Sequence, residues 1–557
     1  ETMRDKQKQG SLLGVLDKTK TAMGARMLRR FLEQPLIQTE EIRARHEAVQ
    51  ELTDNPMIRD EIREYLQPVY DLERLASRII YNSANPRDLT AFRTSLEMLP
   101  FIRQLLGDMK STLLQKIRED MDTLEDVCSL ISQAICDDPP IAMHDGGIIR
   151  DGYNERVDRY RAARREGRSW LAQLEAEERE KTGIRTLRIK YNKVFGYFIE
   201  VTNSFLTQTP SNYIRKQTLT TGERFITDEL KKHEDDVLSA KFKSEELEYK
   251  LFTDFREYSK EYVTIIRETA EAISYLDVIN SFAQIAVESN YTKPIVDDSD
   301  DLIIKNGRHA VLEKVLPFGE YVSNDLELKS NSTDSTQFMI LTGPNMAGKS
   351  TYMRQNALIV ILAQIGSFVP ADYAKIGITD KIFTRVGASD DLTLGQSTFM
   401  VEMVETSYIL NSATERSFIL LDEIGRGTST YDGVAIAWAV AEYIATKIKA
   451  RCIFATHYHE LNVMTKTYPQ IKNYRITVSE ENGEIEFLRK IVQGGASRSY
   501  GIQVAKMAGL PIDVIKRSQD LMNKMQKDFS AGNLSNRKKQ EGQFEVDLPQ
   551  LNLFAEL

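Results

Sequence analysis

A glycine-rich segment is the clearest sign of chemistry in this sequence. It follows the apolar run 338–342 and opens a helical stretch, which is the strand–loop–helix context of a phosphate-binding loop. Glycines let backbone N–H groups turn toward phosphate oxygens, and the helix N-terminus adds its positive end. Lys349 is predicted to bind the β- and γ-phosphates, and Ser350 to ligate Mg²⁺. The predicted nucleotide contacts are Gly343, Pro344, Asn345, Met346, Ala347, Gly348, Lys349, Ser350 and Thr351.

Two adjacent carboxylates end a second apolar run, 73 residues after Lys349. Asp422 is predicted to hold Mg²⁺, directly or through water, and Glu423 to act as general base on the attacking water. An acidic pair at a helix N-terminus, favoured by the helix dipole, is the alternative interpretation. A carboxylate directly after the Mg²⁺ aspartate favours hydrolysis of a nucleotide over its storage.

A histidine follows a third apolar run, Cys452–Phe454. His457 is placed to sense a γ-phosphate, because it comes after a strand in a chain that already holds a phosphate-binding loop and an acidic strand end. A purely structural histidine at a strand end is the alternative. A metal site with His459 is disfavoured, because the pair lacks an obvious third ligand and the chain has only six histidines.

The sequence around these residues divides into zones that differ in the spacing of their apolar residues and therefore in predicted secondary structure. Residues 1 to about 172 repeat apolar side chains at spacings of three and four, which predicts helices, and 229–290 return to this pattern. Residues 182–228 are rich in β-branched and aromatic side chains and predict strands with a turn near 192–196. From 297 to 520, short apolar strands alternate with helical stretches, which predicts an α/β domain.

Charge is distributed unevenly along the chain. The net charge of −9 excludes a protein that binds polyanions through its overall field. Between Lys181 and Arg224, however, eight Lys and Arg stand against two Glu, so a nucleic-acid contact would come from this local basic surface. The preceding stretch, 153–181, is heavily charged with a sparse apolar face and predicts a long, solvated helix, an arm rather than a core element.

Composition sets outer limits on the class of protein. With 41% hydrophobic and 28% charged residues, the chain can form several globular cores. Cys128, Cys136 and Cys452 form no CxxC pair, which disfavours a disulfide framework and a cysteine zinc site. The most apolar run, 357–369, is too short to span a bilayer. Because the sequence opens at Glu1 in a polar stretch, we expect a fragment of a longer protein.

Four motifs together resemble the MutS family of mismatch-repair ATPases. Beside the phosphate-binding loop, they are Asp390-Asp391 before STFMVEM at 397–403, DEIGRGTSTY at 422–431 and ATHY at 455–458, in the family's order and spacing. A phosphate-binding loop alone names a superfamily, whereas STFMVEM combined with DEIGRGTSTY is specific to this family. The resemblance covers essentially the whole chain and matches bacterial members from the core domain to the C-terminus.

The resemblance implies a multidomain fold. An α-helical core and lever arms with a small β-rich clamp insertion would precede an α/β ABC-type P-loop ATPase domain and a C-terminal helix-turn-helix. The implied boundaries are 1–172 for the helical core and first lever, 173–232 for the DNA clamp, 233–296 for the returning lever helix, 297–490 for the ATPase domain, 491–525 for the helix-turn-helix and 526–557 for a flexible tail.

The resemblance also assigns roles around the nucleotide. Ser397 would contact the γ-phosphate bound by the partner subunit, and an ordinary helix N-cap is the alternative reading of this serine. Residues 425–430 resemble the loop that couples the two sites of a homodimer. Tyr321 matches the aromatic residue that stacks on adenine. Residues 494–501, with the helical stretch to about 522, resemble the helix-turn-helix that holds the dimer together.

The basic β-rich zone resembles the clamp that closes over double-stranded DNA. Phosphate contacts of this kind position a protein without reading sequence. A solvated basic hairpin is the alternative. The candidate phosphate contacts are Lys190, Asn192, Lys193, Tyr197, Arg215 and Lys216.

One family motif has no suitable counterpart. The family reads mispairs with a Phe-x-Glu motif in an N-terminal domain, where the aromatic ring wedges into the base stack. The bare pattern occurs at Phe31–Glu33, Phe198–Glu200 and Phe318–Glu320, each in an unsuitable element, so we regard all three as chance matches. We therefore expect the mismatch-reading and connector domains to be absent and the chain alone not to discriminate mismatched DNA.

The C-terminal tail resembles a docking peptide of bacterial repair and replication proteins, which bind the replication sliding clamp. A disordered tether would present leucine and phenylalanine to an apolar pocket, and an amphipathic terminal turn is the alternative. The resemblance further implies a MutL-type repair partner, a cytoplasmic, nucleoid-associated location in a bacterium and no membrane contact. The predicted docking residues are Gln550, Leu551, Leu553 and Phe554.

The function implied by the resemblance is a dimeric clamp on duplex DNA that uses ATP/ADP and Mg²⁺. ATP binding and hydrolysis would shift it between loading and sliding states. An ATPase of the SMC chromosome-maintenance type is one alternative, disfavoured because LSGGQ-like residues and long heptad arms are missing from the sequence. A non-hydrolysing, nucleotide-gated scaffold is another, and Glu423 argues against it.

Overall fold

The computed structural model describes residues 10–192, 196–317, 319–329, 335–344, 347–386, 398–481, 484–495 and 500–536. Within these ranges the chain combines a helical part, a small antiparallel sheet and a mixed α/β part, so the predicted mixed, multidomain architecture is confirmed at that level. None of the helices in the described ranges has the length and apolar composition needed to cross a membrane.

Helices of five to twenty residues build the first part of the chain, and several of them begin at a residue whose side chain caps the first turn. Helix α6 shows the pattern most completely, since Asn85 and Asp88 exchange side chain–backbone hydrogen bonds as a capping box and Pro86 occupies the first helical position. The helices are α1 Leu12–Leu16, α2 Ala22–Glu33, α3 Thr39–Asp54, α4 Pro56–Leu66, α5 Leu72–Ile80, α6 Pro86–Leu105, α7 Thr112–Asp120 and α8 Glu125–Ala134.

A small antiparallel sheet lies in sequence between two long helices. Its strands are ordered β1-β2-β4-β3, and Ile199, Val201 and Phe225 form a separate apolar core with residues from the adjoining helix ends. Gly183, in the left-handed region at φ +72°, ends the first long helix. The elements are α9 Glu155–Thr182, β1 Arg188–Asn192, β2 Gly196–Thr202, β3 Ile214–Thr218, β4 Gly222–Ile226 and α10 Asp228–Ser259.

Helix α11, Val263–Ser289, is the buried axis of the helical part. It packs against α2, α3, α4, α5 and α7. Because neighbouring helices cover most of its surface, its own apolar residues are spread over nearly all of its faces. Its carboxylate Asp277 accepts hydrogen bonds from the backbone N–H groups of Lys20 and Thr21 at 2.9 and 2.8 Å. A side chain on α11 therefore satisfies donors at the start of α2.

The α/β part contains two sheets, a number that the sequence pattern did not predict. One sheet has the order β10-β11-β12-β8-β13-β14 and is parallel except for β14, and the other has the order β5-β9-β6-β7. The elements are β5 Ile295–Asp297, β6 Leu302–Gly307, α12 Leu312–Val315, β7 Asn324–Leu328, β8 Phe338–Thr342, α13 Lys349–Gln364, β9 Tyr373–Gly377, β10 Ile382–Arg385, α14 Thr398–Ser412, β11 Phe418–Asp422, α15 Thr430–Tyr443, β12 Arg451–Thr456, α16 Met464–Thr467, β13 Ile471–Glu481 and β14 Glu484–Gln493.

The six-stranded sheet is buried on both faces. Met339 and Leu341 of β8 join the apolar cluster of α13 and the helical part, while Phe338 and Ile340 join the cluster of α14 and α15. This alternation is why the strand is a continuous apolar run in the sequence. The sheet is thus covered by helices on both sides, and its strand ends are left to form a site.

The end of α13 docks on the helical part. Arg45 of α3 donates to the Ile365 carbonyl at 2.9 Å and to the Tyr275 hydroxyl at 2.6 Å, and its guanidinium carbon lies 3.6 Å from the centre of the Phe31 ring. Burial lowers the pKa of Arg45, although the interaction with Tyr275 opposes the shift. The helix that follows the phosphate-binding loop is therefore anchored to α3 and α11.

Two helices follow the α/β part. They are α17 Gly501–Met507 and α18 Ile512–Asn536. Helix α18 continues past residue 526, where the sequence predicted that a flexible tail begins, so the first residues of that predicted tail are helical. Residues 537–557, including the predicted docking peptide with Gln550, Leu551, Leu553 and Phe554, lie outside the described part of the chain.

Candidate functional site

Three neighbouring parallel strands end at one edge of the six-stranded sheet. Register pairs Thr342 of β8 with Thr456 of β12, and Ala455 of β12 with Asp422 of β11. The phosphate-binding loop, Glu423 and His457 directly follow these strand ends. Ligands of doubly wound sheets bind at the carboxyl ends of the strands. The fold therefore brings the three predicted catalytic segments together.

Lys349 lies at the start of α13 with its side chain almost fully buried. Its ammonium donates to the carbonyls of Gly343 at 2.7 Å and Pro344 at 3.2 Å, and it lies 3.9 Å from the Glu423 carboxylate. Burial lowers the pKa of Lys349, and the nearby carboxylates oppose that shift. A buried ammonium at a helix N-terminus suits an anionic ligand such as a phosphate chain.

Ser350 and Asp422 form the other half of this corner. The Ser350 hydroxyl donates to Asp422 Oδ2 at 2.6 Å, whereas Asp422 Oδ1 is buried and has no hydrogen-bond partner in the described structure. Burial raises the pKa of Asp422, while the bond from Ser350 opposes the shift. An orphaned carboxylate oxygen beside a hydroxyl fits Mg²⁺, which takes oxygen ligands from one or two side chains together with substrate phosphates.

Replacing Asp422 with Asn tests this metal assignment. The change keeps the size of the side chain but removes its charge, so we expect the Mg²⁺ concentration for half-maximal ATP turnover to rise about 10- to 100-fold. Turnover is measured in a Mg²⁺ titration at saturating ATP. Asp432→Asn, an exposed position at the start of α15, is the matched control. An unchanged Mg²⁺ requirement in Asp422→Asn contradicts the assignment.

Glu423 is held by basic side chains. Its carboxylate lies 2.5 Å from Arg426 and 3.3 Å from His457 Nδ1, in addition to the contact with Lys349. The residue has φ +55°, in the left-handed region that costs energy for a side chain other than glycine. Its own N–H donates to the Ala455 carbonyl at 2.9 Å, which ties it to β12. The carboxylate can therefore accept a proton from a water beside a bound phosphate.

His457 has a lowered pKa. Burial disfavours its charged form, and the neighbouring Lys349 and Arg426 add to that effect, whereas Glu423 opposes it. An imidazole held in the neutral form can donate one hydrogen bond and accept another. This property suits the predicted contact with a γ-phosphate.

Tyr321 lies in the loop before β7, next to α13. Its hydroxyl donates to Gln355 of α13 at 2.8 Å, and burial raises its pKa. The loop is fastened by Asn324, whose amide donates to the Arg489 carbonyl at 2.9 Å and whose side-chain oxygen accepts from Ile491 N–H at 2.8 Å. Stacking of Tyr321 on adenine stays a prediction, and the loop beneath it is firmly anchored.

Three residues lie at the site although the sequence analysis did not predict a role for them there. Arg426 pairs with Glu423, and Glu402 and Tyr458 hydrogen-bond the backbone of Gly425. Each belongs to one of the motifs quoted for the family resemblance, so the motifs themselves were the available signal. Other predicted residues lie outside the part of the chain that the structure describes, namely Asn345, Met346, Asp390, Asp391 and Ser397.

The predicted DNA contacts lie on the small sheet but do not share one surface. Lys190 pairs in register with Phe198, and Arg215 with Phe225, and these pairs lie on opposite faces because Phe225 pairs with Ile199. Lys190 forms an ion pair with Glu200 at 2.7 Å, and Arg215 with Glu223 at 3.3 Å. Of the other predicted contacts, Lys216 is exposed and Asn192 is the last residue of β1. The centre of the Tyr197 ring lies 5.0 Å from that of the Tyr191 ring. Lys193 lies outside the described residues.

The bare Phe-x-Glu patterns occupy elements that do not suit a wedge. Phe31 is 5% exposed in α2 and Phe198 is 2% exposed in β2, so neither ring is free to enter a base stack. Phe318 lies outside the described residues. These burials agree with the interpretation of chance matches.

Comparison with protein families gives two matches, one in each half of the chain. A family model described as MutS domain III matches residues 1–283, and one described as MutS domain V matches residues 339–526. The second match contains the phosphate-binding loop, Asp422, Glu423 and His457, and the first contains the helical part and the small sheet.

Curated relatives support the same conclusion. Three proteins named DNA mismatch repair protein MutS are 54%, 53% and 51% identical to this chain, from Lachnoclostridium phytofermentans, Acetivibrio thermocellus and Ruminiclostridium cellulolyticum. The alignments cover 94%, 94% and 100% of this chain, but only 56%, 60% and 63% of the relatives. The chain spans about three fifths of their length, and it belongs to the MutS family.

Proposed function

We propose that this chain binds ATP with Mg²⁺, hydrolyses it and uses the cycle to close a dimeric clamp on duplex DNA for mismatch repair. The observation that carries the proposal is the meeting of Lys349, Ser350, Asp422, Glu423 and His457 at one edge of the six-stranded sheet. Membership of the MutS family supports it and does not favour the SMC-type alternative.

The residues divide the work of hydrolysis. Lys349 and the N-terminus of α13 hold the phosphate chain, and Ser350 and Asp422 hold Mg²⁺, which neutralises charge on the phosphates when bound. Glu423 orients the attacking water and accepts its proton, and His457 contacts the γ-phosphate. A buried, polar corner makes these charge interactions stronger than they would be in water.

The proposed homodimer places a second copy against the nucleotide. Exposed apolar side chains on α14, Val404 and Tyr408, and on α17 and α18, Met507 and Ile512, support such a contact. Ser397, directly before α14, would then complete the partner's site. The helices α17 and α18 are the proposed helix-turn-helix dimerisation segment.

Other partners are proposed from the sequence resemblance. The small basic sheet at the end of α9 and α10 is the proposed DNA clamp, with those two helices as levers. The residues Gln550, Leu551, Leu553 and Phe554 are the proposed sliding-clamp peptide, and a MutL-type protein is the proposed repair partner, in a bacterial cytoplasm.

Retention on DNA with blocked ends tests the clamp. We expect the chain to stay on an end-blocked duplex in an ATP-dependent manner and to leave a duplex with free ends, because a closed ring can only slide off. The double substitution Arg215→Glu with Lys216→Glu is expected to weaken initial binding to DNA. It is also expected to reduce the slope of log affinity against log salt concentration by about one to two, the loss of about one to two phosphate contacts. The matched control is Lys116→Glu, an exposed position on α7.

The readout is the fraction of protein bound after a high-salt wash, with and without ATP. Equal, salt-sensitive binding to both duplexes contradicts ring closure and leaves simple electrostatic association. A mismatched and a matched duplex are expected to be bound equally by this chain.

A further inference from the structure

Both backbone polar groups of Gly425 are held by side chains. Its N–H donates to the carboxylate of Glu402 at 2.5 Å, and its carbonyl accepts from the hydroxyl of Tyr458 at 2.9 Å. Glu402 belongs to α14, and Tyr458 directly follows His457. Gly425 itself comes two residues after Glu423. Three separate elements of the nucleotide site therefore meet at one backbone unit.

Close packing leaves this unit little room to move. Gly425 has φ +90°, and a Cβ atom there would lie 2.5 Å from the Gly433 carbonyl oxygen. A Cβ on Gly433 would lie 2.5 Å from the Tyr458 hydroxyl, and one on Gly427 would lie 2.9 Å from Phe399 Cβ. Glycines at all three positions thus allow the loop to lie directly on α14, α15 and Tyr458.

Glu402, which accepts the hydrogen bond from the Gly425 N–H, is buried. The residue is 6% exposed and lies 3.6 Å from Arg385, which also lies 3.0 Å from the half-exposed Glu405. Arg385 therefore has a second carboxylate nearby, whereas the Gly425 N–H donates to Glu402. Hydrogen bonds to charged groups are stronger than those between neutral groups, and an unmet buried donor is costly.

We propose that Glu402 and Tyr458 are positioning residues for ATP hydrolysis, because they fix the backbone of Gly425 and through it the Glu423 carboxylate. Glu423 stands between the end of β11 and this fixed backbone segment, in a left-handed conformation that its neighbours must maintain. A base displaced by about 1 Å loses on the order of a hundred-fold in rate. The inference rests on the proposed function, in which Glu423 is the general base.

Removing the Tyr458 hydroxyl is the first test. Tyr458→Phe keeps the ring but deletes the donor to Gly425, so we expect kcat for ATP to fall about ten-fold or more with KM changed less than about three-fold. Substrate binding survives because the phosphate-binding loop is untouched. Tyr443→Phe, which removes a hydroxyl from an exposed tyrosine of α15, is the matched control. Thermal melting of both variants verifies that they fold.

Two substitutions of Glu402 separate its roles. Gln can still accept from the Gly425 N–H, whereas Leu cannot, so Glu402→Leu is expected to lose kcat about ten-fold and Glu402→Gln to retain most of it. A role as ion-pair partner of Arg385 instead predicts equal losses in both variants. Glu405→Gln, which removes the other carboxylate near Arg385, is the control and is expected to keep wild-type kcat.

These experiments distinguish an error in the positioning role from an error in the proposed ATPase function. If the unaltered chain does not turn over ATP, the ATPase assignment is wrong and the inference falls with it. If the chain turns over ATP while Tyr458→Phe keeps full kcat, or Glu402→Gln is as impaired as Glu402→Leu, the positioning role is wrong and the ATPase stands. Should Glu402→Leu fail to fold, the Tyr458→Phe result decides alone.

Discussion

Glu423→Gln is expected to reduce ATP turnover by about 10²- to 10⁴-fold while ATP binding stays close to that of the unaltered chain. Gln has nearly the same shape, but its amide does not accept a proton from water at neutral pH. Lys349, Ser350 and Asp422, which are predicted to bind the phosphates and Mg²⁺, remain in place. Turnover is measured by phosphate release at saturating ATP, and binding by titration with a fluorescent ATP analogue.

The structure makes this substitution informative because the carboxylate is surrounded by basic side chains. Lys349, Arg426 and His457 lie 3.9, 2.5 and 3.3 Å from it. Loss of charge at Glu423 removes an attraction for the charged Lys349 and Arg426, so a modest change in nucleotide affinity is compatible with the prediction. The proton-accepting role concerns only the rate of the chemical step.

A control separates the role of Glu423 from a general effect of charge. Glu415→Gln removes an exposed carboxylate shortly before β11 and is expected to leave turnover unchanged. If Glu423→Gln keeps more than about a tenth of the normal rate, another group accepts the proton. In that case the strained backbone at Glu423 would need a structural explanation.

Local motifs made much of the site predictable. The phosphate-binding loop, Asp422 and Glu423 each follow a short apolar run, and a parallel sheet places the ends of its strands at one edge. The contact between Ser350 and Asp422 therefore follows from strand–loop–helix order alone, although 72 residues separate the two. The helices were predictable because their apolar spacing and capping residues are local features.

Contacts between distant segments were not predictable in the same way. Arg45 is charged and occurs in a polar stretch, yet it is buried against Tyr275 and Ile365, which lie 230 and 320 residues away. Gly425 gives no sign in the sequence that Glu402 is its partner. The second sheet, β5-β9-β6-β7, was missed because its strands are short and separated in the chain by other elements. Such pairings depend on tertiary structure rather than on local pattern.

Arg451→Leu is expected to lower the free energy of unfolding by about 3–5 kcal/mol, the largest stability effect of a single substitution that we predict. Arg451 begins β12 and has no exposed surface. Its guanidinium donates to the carbonyls of Gly377 at 3.0 Å, Ile378 at 3.1 Å and Arg416 at 2.5 Å. Leu cannot donate to any of them.

The matched control for Arg451→Leu is Arg416→Leu, which removes an exposed guanidinium from the loop before β11 and leaves the backbone carbonyl in place. We expect this control to change stability by less than about 0.5 kcal/mol. Chemical denaturation, followed by far-ultraviolet circular dichroism, measures both variants. Equal stability of Arg451→Leu and the unaltered chain would show that the carbonyls find other donors.

The same substitution separates stability from catalysis. Arg451 stands at the first residue of β12 and His457 follows its last, so they are roughly 20 Å apart along the strand. Arg451→Leu is therefore expected to keep normal kcat at low temperature, where it is folded, and to lose activity only as it unfolds. Glu423→Gln should show the reverse, with normal stability and little turnover. If Arg451→Leu instead loses kcat while still folded, the cage of carbonyls around Arg451 also holds the catalytic edge of the sheet in place.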